Sequence, residues 1–270
     1  MNPLGISVLI RTFNSEKTLG RVLTGIELRE GEEYVVVDSG STDATLSIAA
    51  AHGARIIRAE GPFNYSKSLN LGFHAAQNPW VLVISSHSVP VVPGFIEVFR
   101  SAGLAFPADV VVGYGPNTLN GRGPYSDDQV RYYDRETHQT IYDLCGNGNT
   151  LYRRSAWELM PFDENIRTGE DKAWLAAILD RGCRIALVSG ARTINISHYS
   201  LRYMFMKGYS DRRAGGGGPL GLRGLVLSLG SHTKKCLRGG VPIGNWIRYG
   251  AHIFGQFFGS YRDQDNTPGK

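Results

Sequence analysis

Cysteine is scarce in this chain: its 270 residues hold three, Cys145, Cys183 and Cys236, far apart and in no metal-binding spacing. A secreted disulfide framework and a Cys-x-x-Cys zinc site are thereby excluded as organising devices, and a reducing, cytoplasmic setting is expected. Long apolar runs are missing as well. No segment reaches the roughly 18 uninterrupted apolar residues of a spanning helix. Residues 1–10 lack the basic region and apolar stretch of a signal peptide, so no leader is expected. No Gly-x-x-x-x-Gly-Lys-Ser/Thr run occurs, which counts against a P-loop hydrolase. No Gly-x-Gly-x-x-Gly follows the first apolar run, so a dinucleotide oxidoreductase loses its main support.

What is present suits a soluble globular protein. With 42% hydrophobic and 20% charged residues, the chain can bury one substantial core, giving one large domain with an appendage. Charge is unevenly spread. Residues 1–198 hold 18 Lys and Arg against 21 Asp and Glu, a net of −3, while residues 199–270 hold 11 against 3, a net of +8. Such a basic tail can meet anionic lipid, a diphosphate or nucleic acid, or form a merely solvated surface.

Residues 6–10 read as a first strand. Asn14 or Ser15 can cap a helix whose apolar positions Leu19, Val22, Leu23 and Ile26 recur at helical spacing. Residues 34–37 form a second strand, a helix runs through Leu46, Ile48 and Ala49, and residues 54–57 form a third strand. Residues 66–76 look helical and 80–84 form an apolar strand. This alternation predicts a mainly parallel sheet with helices on both faces. From residue 109 the pattern loosens: 110–114 is strand-like, 117–124 is a turn-rich loop, and 145–150 is a second candidate acceptor loop. A later helix starts near Gly169, and 184–188 and 193–196 are candidate closing strands. Beyond His198, residues 215–218 make a flexible break, and 220–229 and 246–258 are amphipathic helices lying on the core or on a membrane surface. The expected division is 1–200 for the main domain and 201–270 for a basic, helical C-terminal appendage.

Tyr34-Val35-Val36-Val37 runs straight into Asp38-Ser39-Gly40-Ser41-Thr42-Asp43. This places the Asp38 carboxylate at the carboxyl end of a sheet, where open α/β folds bind ligands. An ionised Asp only accepts hydrogen bonds, so ribose hydroxyls or a base N–H suit it. A turn or helix cap uses the same residue types. In Thr168-Gly169-Glu170-Asp171, Trp174, Leu175 and Ile178 follow Asp171 at i+3, i+4 and i+7. That sets Asp171 on the buried stripe of its helix, with Glu170 roughly 100° away. A carboxylate there can accept a proton from an alcohol, although Thr168 with an acid three residues on also approximates a capping box. His87 should emerge at the same sheet edge as Asp38, and His198 follows a later strand. Two imidazoles at strand ends suit a divalent metal or a phosphate, or plain structural roles. Lys67 and Asn70 open a helix after the turn at 61–64, where a phosphate fits or a lysine is simply solvated.

Taken in order and spacing, Ser7-Val8-Leu9-Ile10-Arg11-Thr12-Phe13-Asn14, Val37-Asp38-Ser39-Gly40-Ser41-Thr42-Asp43, Leu69-Asn70-Leu71-Gly72 and Gly169-Glu170-Asp171 resemble family-2 glycosyltransferases of the GT-A fold, over roughly residues 5–200. Phe63-Asn64-Tyr65-Ser66-Lys67-Ser68-Leu69-Asn70 is most similar to bacterial rhamnosyltransferase-type members. The resemblance implies a GT-A type α/β fold and inverting transfer of a sugar from a nucleotide diphosphate sugar to an acceptor hydroxyl. It implies that Thr12, Asn14 and Glu16 border the nucleotide, that Asp38 holds base or ribose, and that Lys67 and Asn70 belong to the donor site. Asp171 becomes the catalytic base, deprotonating the acceptor as it attacks the anomeric carbon from the face opposite the diphosphate.

The sequence departs from that family where an Asp-x-Asp is usual: Ser85 and His87 stand in place of the two carboxylates. The departing diphosphate gains negative charge, so something positive must stabilise it. His198 resembles the family's late metal-ligand histidine. With His87 it would favour manganese or a later transition metal over magnesium, which prefers oxygen. The metal-free alternatives are Lys67, a protonated His87, or Arg212 and Arg213. Expected partners are a nucleotide-sugar donor, a hydroxyl-bearing acceptor and a peripheral membrane contact in the cytoplasm, with no nucleic acid. Two rivals stand beside this expectation: a nucleotide-sugar-binding protein without catalysis, and a nucleotidyltransferase, whose glycine-rich basic loop after the first strand is absent.

Overall fold

The computed structural model describes residues 5–105, 108–113, 130–136, 148–166, 169–196, the single positions 201, 205 and 208, and 222–239 and 243–259. The chain divides into two compact units, Met1–Ile196 and Ser197–Lys270. The first opens with β1 (Ile6–Thr12), α1 (Leu19–Thr24), β2 (Glu33–Asp38), α2 (Thr45–Ala51), β3 (Arg55–Arg58), α3 (Tyr65–Ala75) and β4 (Trp80–Ser85). It continues with β5 (Ser88–Pro90), α4 (Phe95–Ala105), β6 (Val110–Gly113), β7 (Val130–Tyr133), β8 (Asn149–Arg153), α5 (Arg154–Leu159), α6 (Glu170–Asp180), β9 (Ile185–Val188) and β10 (Thr193–Asn195).

Eight strands form one sheet in the order β3-β2-β1-β4-β8-β6-β9-β7, and β5 pairs with β10 in a second. The β1–β2, β1–β4, β2–β3 and β6–β9 pairings are parallel, and β4–β8, β6–β8 and β7–β9 are antiparallel. Successive strand residues point to opposite faces, so each strand feeds two cores. Val8, Ile10, Val36, Leu82 and Ile84 pack with Leu19, Val22 and Leu23 of α1 and Phe95 and Phe99 of α4. Leu9, Val35, Val37, Val81 and Val83 pack with Leu69 and Phe73 of α3, Trp157 of α5 and Trp174 and Ile178 of α6. Helices thus cover both faces, as the strand–helix alternation predicts. Thr18 rather than Asn14 or Ser15 occupies the cap position of α1, without a side-chain capping bond, because those two residues are engaged with a neighbouring loop.

The Leu69-Asn70-Leu71-Gly72 motif has a packing explanation. A Cβ on Gly72 would lie 2.1 Å from Leu9 Cδ1, so only glycine lets α3 approach β1 this closely. Leu9 is fully buried and its neighbours are fixed. Gly72→Ala is therefore expected to destabilise the protein by about 1–3 kcal/mol through overpacking, read as a lower urea midpoint at unchanged slope.

The second unit contains α7 (Leu222–Gly239) and α8 (Ile243–Gly259), the two helices expected there, each longer than its apolar run. Phe205 packs on Phe258 with ring centroids 5.9 Å apart. Among the described residues no helix is long and apolar enough to cross a membrane.

Candidate active site

The carboxyl ends of β1 and β2 are laced together by side chains. Thr12 Oγ1 donates to Asp38 Oδ1 at 2.9 Å. Gly40 N and Ser41 N donate to Asp38 Oδ2 at 3.0 and 2.8 Å, and Ser41 Oγ donates to Oδ1. Burial alone would raise the Asp38 pKa, but the Ser41, Thr12 and Gly40 hydrogen bonds outweigh it and hold the carboxyl below its ordinary value. Further along, Asn14, at φ 47°, accepts from Thr42 N at 2.8 Å, while its own N–H donates to Ser41 Oγ at 2.8 Å. Glu16 Oε2 accepts from Ala44 N at 3.1 Å, and Asp43 Oδ2 accepts from Glu16 N at 3.1 Å. Thr12, Asn14 and Glu16 are thus gathered at one sheet edge with Asp38. The Asp38 carboxylate, with two hydrogen bonds on each oxygen, is saturated by its own turn. Ser39 Oγ beside it is buried and has no hydrogen-bond partner among the described residues.

The head of α6 reaches the same edge by a different contact. Glu170 Oε1 accepts from Arg11 Nη1 at 3.4 Å, with only 7% of the Glu170 side chain and 15% of the Arg11 side chain exposed. Arg11 Nη1 also points to the Tyr65 carbonyl at 3.5 Å, and its guanidinium lies 4.9 Å from the Tyr65 ring centroid. The sequence expectation for this helix is corrected here. Glu170 joins Trp174, Leu175, Ile178 and Leu179 in the buried set, whereas Asp171 is half-buried. The buried Glu170 meets Arg11, a contact of which helical spacing carries no sign. Asp171 Oδ1 accepts from Lys172 N at 2.8 Å. Gly169, at φ 76°, occupies the cap position of this helix; Thr168, the other half of the expected capping box, lies outside the described residues.

His87 sits in the turn between β4 and β5, half-buried, and its pKa is pushed down to about 4 by burial and then by the Arg11 charge. Burial and the Arg11 charge thus both disfavour the protonated imidazole while no anion is bound. Its carbonyl accepts from Ile196 N at 3.0 Å. His198, Arg212 and Arg213 lie outside the described residues. Among the described residues, no three His, Cys, Asp or Glu side chains converge as a metal site.

Lys67 Nζ donates one of its three N–H groups to the Glu60 carbonyl at 2.9 Å. Asn70 has no polar valence left for a ligand: Oδ1 accepts from Trp157 Nε1 and Phe162 N, and Nδ2 donates to Phe162 O and Glu164 Oε1. It fastens α3 to the segment after α5. Sequence reasoning missed Arg11, Ser39 and Glu170, although all three lie inside the quoted motifs. A lone arginine in an apolar strand was the available signal.

The sequence profile described as Glycosyl transferase family 2 matches residues 7–160, from β1 to the end of α5. An uncharacterized glycosyltransferase of Mycobacterium tuberculosis is 36% identical over 81 residues, covering 30% of this chain and 36% of its own. This chain thus spans little more than a third of that relative's length. The dolichyl-phosphate hexose transferase of Haloferax volcanii is 30% identical over 190 residues, 68% of this chain and 80% of the relative. Among solved structures, the Pyrobaculum calidifontis mannosyltransferase in complex with GDP-Man and Mn2+ superposes with a TM-score of 0.60 at 13% identity, covering 98% of this chain and 76% of that one.

Proposed function

Because the chain belongs to glycosyl transferase family 2, we propose that it transfers a sugar from a nucleotide diphosphate sugar to an acceptor hydroxyl, with inversion at the anomeric carbon. The observation that carries this is the Arg11–Glu170 contact at 3.4 Å. It brings the acidic head of α6 to the carboxyl end of β1, beside the laced Asp38 turn, at the kind of sheet edge where α/β folds bind ligands. The roles then divide. Thr12, Asn14, Glu16 and Asp38 build the floor of the nucleotide pocket, and the Ser39 hydroxyl, unpartnered among the described residues, is the polar group that floor offers to a ligand. Asp171 takes the acceptor proton as the acceptor oxygen attacks, and the nucleoside diphosphate leaves from the opposite face.

The Pyrobaculum enzyme was solved with Mn2+, but the described residues here do not fit such an ion. Ser85 and His87 stand where carboxylates are usual, the Arg11 charge acts on His87, and no three ligands converge among the described residues, which leave out His198.

Incubation with a panel of UDP- and GDP-sugars should release the matching nucleoside diphosphate, and proton NMR of the product should show inverted anomeric configuration. Tight donor binding with no release from any sugar would favour a non-catalytic binder. Pyrophosphate release from a nucleoside triphosphate would favour a nucleotidyltransferase.

The membrane-peripheral setting is also part of this proposal. Support comes from the basic residues 199–270, with 11 Lys and Arg against 3 Asp and Glu, and from exposed Leu222, Val226 and Leu227 on α7 and Ile247, Phe254 and Phe258 on α8. The Haloferax relative's name points to a lipid-linked phosphate. Co-sedimentation with vesicles containing phosphatidylglycerol is expected, weakening as salt is raised.

A further inference from the structure

The breaking bond leaves its electron pair on a diphosphate oxygen, so the diphosphate gains one negative charge while the acceptor proton passes to Asp171. A cation must meet that charge. Two arginines stand at the carboxyl edge of the parallel strands. Arg58 ends the outer strand β3 and is exposed. Arg11 is the penultimate residue of the central strand β1, between β2 and β4, and is mostly buried.

Among the described residues Arg11 uses Nη1 alone, towards Glu170 and the Tyr65 carbonyl, and Nε and Nη2 make no hydrogen bond to them. Its partner in the β1–β4 register is Ser85, the position where an aspartate is usual. Serine there adds no second carboxylate to the one that Glu170 already sets against Arg11.

We propose that Arg11 binds the donor diphosphate and takes the place of a divalent metal, with Glu170 holding the guanidinium in position. This rests on the glycosyl-transfer reading above. The planar guanidinium can offer two parallel N–H groups to a phosphate, which an ammonium cannot match.

Calorimetric titration with UDP and with GDP, in MnCl2 and in EDTA, tests the proposal. For whichever nucleotide binds, the dissociation constant should agree within about threefold between the two buffers, and Arg11→Gln should weaken it about 10–100-fold in both, as loss of a charge-assisted pair implies. Arg11→Lys should fall between, and it keeps a positive charge beside Glu170 should the glutamine variant fail to fold. Binding abolished by EDTA, or wild-type affinity in Arg11→Gln or in a folded Arg11→Lys, would overturn the proposal while leaving the glycosyl-transfer reading intact. Absence of UDP and GDP binding to the wild-type protein in either buffer would bring down both.

Discussion

Asp171→Asn is expected to lower turnover by about 10²–10⁴-fold, the range for a positioned general base, while the nucleoside diphosphate dissociation constant stays within about twofold of wild type. The amide is nearly isosteric with the carboxylate but cannot take the acceptor proton. Asp171 is half-buried and outside the Arg11 ion pair, so the substitution spares the proposed diphosphate contact of Arg11. Glu170→Gln is the necessary companion. Glu170 is buried and shares Arg11, so its substitution should loosen the guanidinium and alter nucleotide affinity more than turnover. The reverse result, a normal turnover in Asp171→Asn and a collapse in Glu170→Gln, would move the base by one residue.

Much of the first half of the fold is legible in the sequence, and the reason is local. From β1 to β4, apolar β-branched runs alternate with helical spacing, and the observed bounds differ from the expected ones by a residue or two. Helix α4 carries helical spacing as well, in Phe95, Val98, Phe99 and Ala102, alongside a buried Arg100 that meets Glu32 at 2.8 Å. Four short later elements, β5, β7, β8 and α5, have no such signature. In β8 the polar Asn149 and Thr150 are buried between β4 and β6. Asn149 and Thr150, expected in a loop, therefore open a central strand whose partners come from distant sequence; residues 145–147 of that loop lie outside the described residues.

The site divides along the same line. Asp38, Thr12, Asn14 and His87 are placed at one sheet edge by strand ends, which sequence reveals. What each side chain does there depends on partners 26 to 28 positions away, as in the Thr12–Asp38 and Asn14–Thr42 bonds. Glu170 meets Arg11, 159 positions away. Helical spacing fixes the angle between Glu170 and Asp171, but not which of them meets a cation. The same limit explains Asn70: its place in a conserved-looking polar motif suggests a ligand, yet its amide closes a buried network around Trp157 and Phe162.

Asp38→Ala is expected to cost about 3–5 kcal/mol of stability, because a buried charged acceptor is removed and its donors are stranded. The donors are Gly40 N, Ser41 N, Ser41 Oγ and Thr12 Oγ1. The carboxylate also makes the wild-type protein acid-sensitive. Its folded pKa lies below the ordinary value, so its contribution is fully present above the unfolded carboxyl pKa of about 4 and is lost as pH falls through the lower folded value. Urea unfolding followed from pH 7 down to about pH 3 should therefore show a steeper loss in wild type than in Asp38→Ala. Asp43, also lowered, keeps a residual slope in the variant. Since the Thr12–Asp38–Ser41 lacing forms the nucleotide end of the proposed pocket, the folded fraction of Asp38→Ala should bind UDP or GDP more weakly. Asp171→Asn should not, and that contrast separates a group that builds the donor pocket from one that moves the acceptor proton.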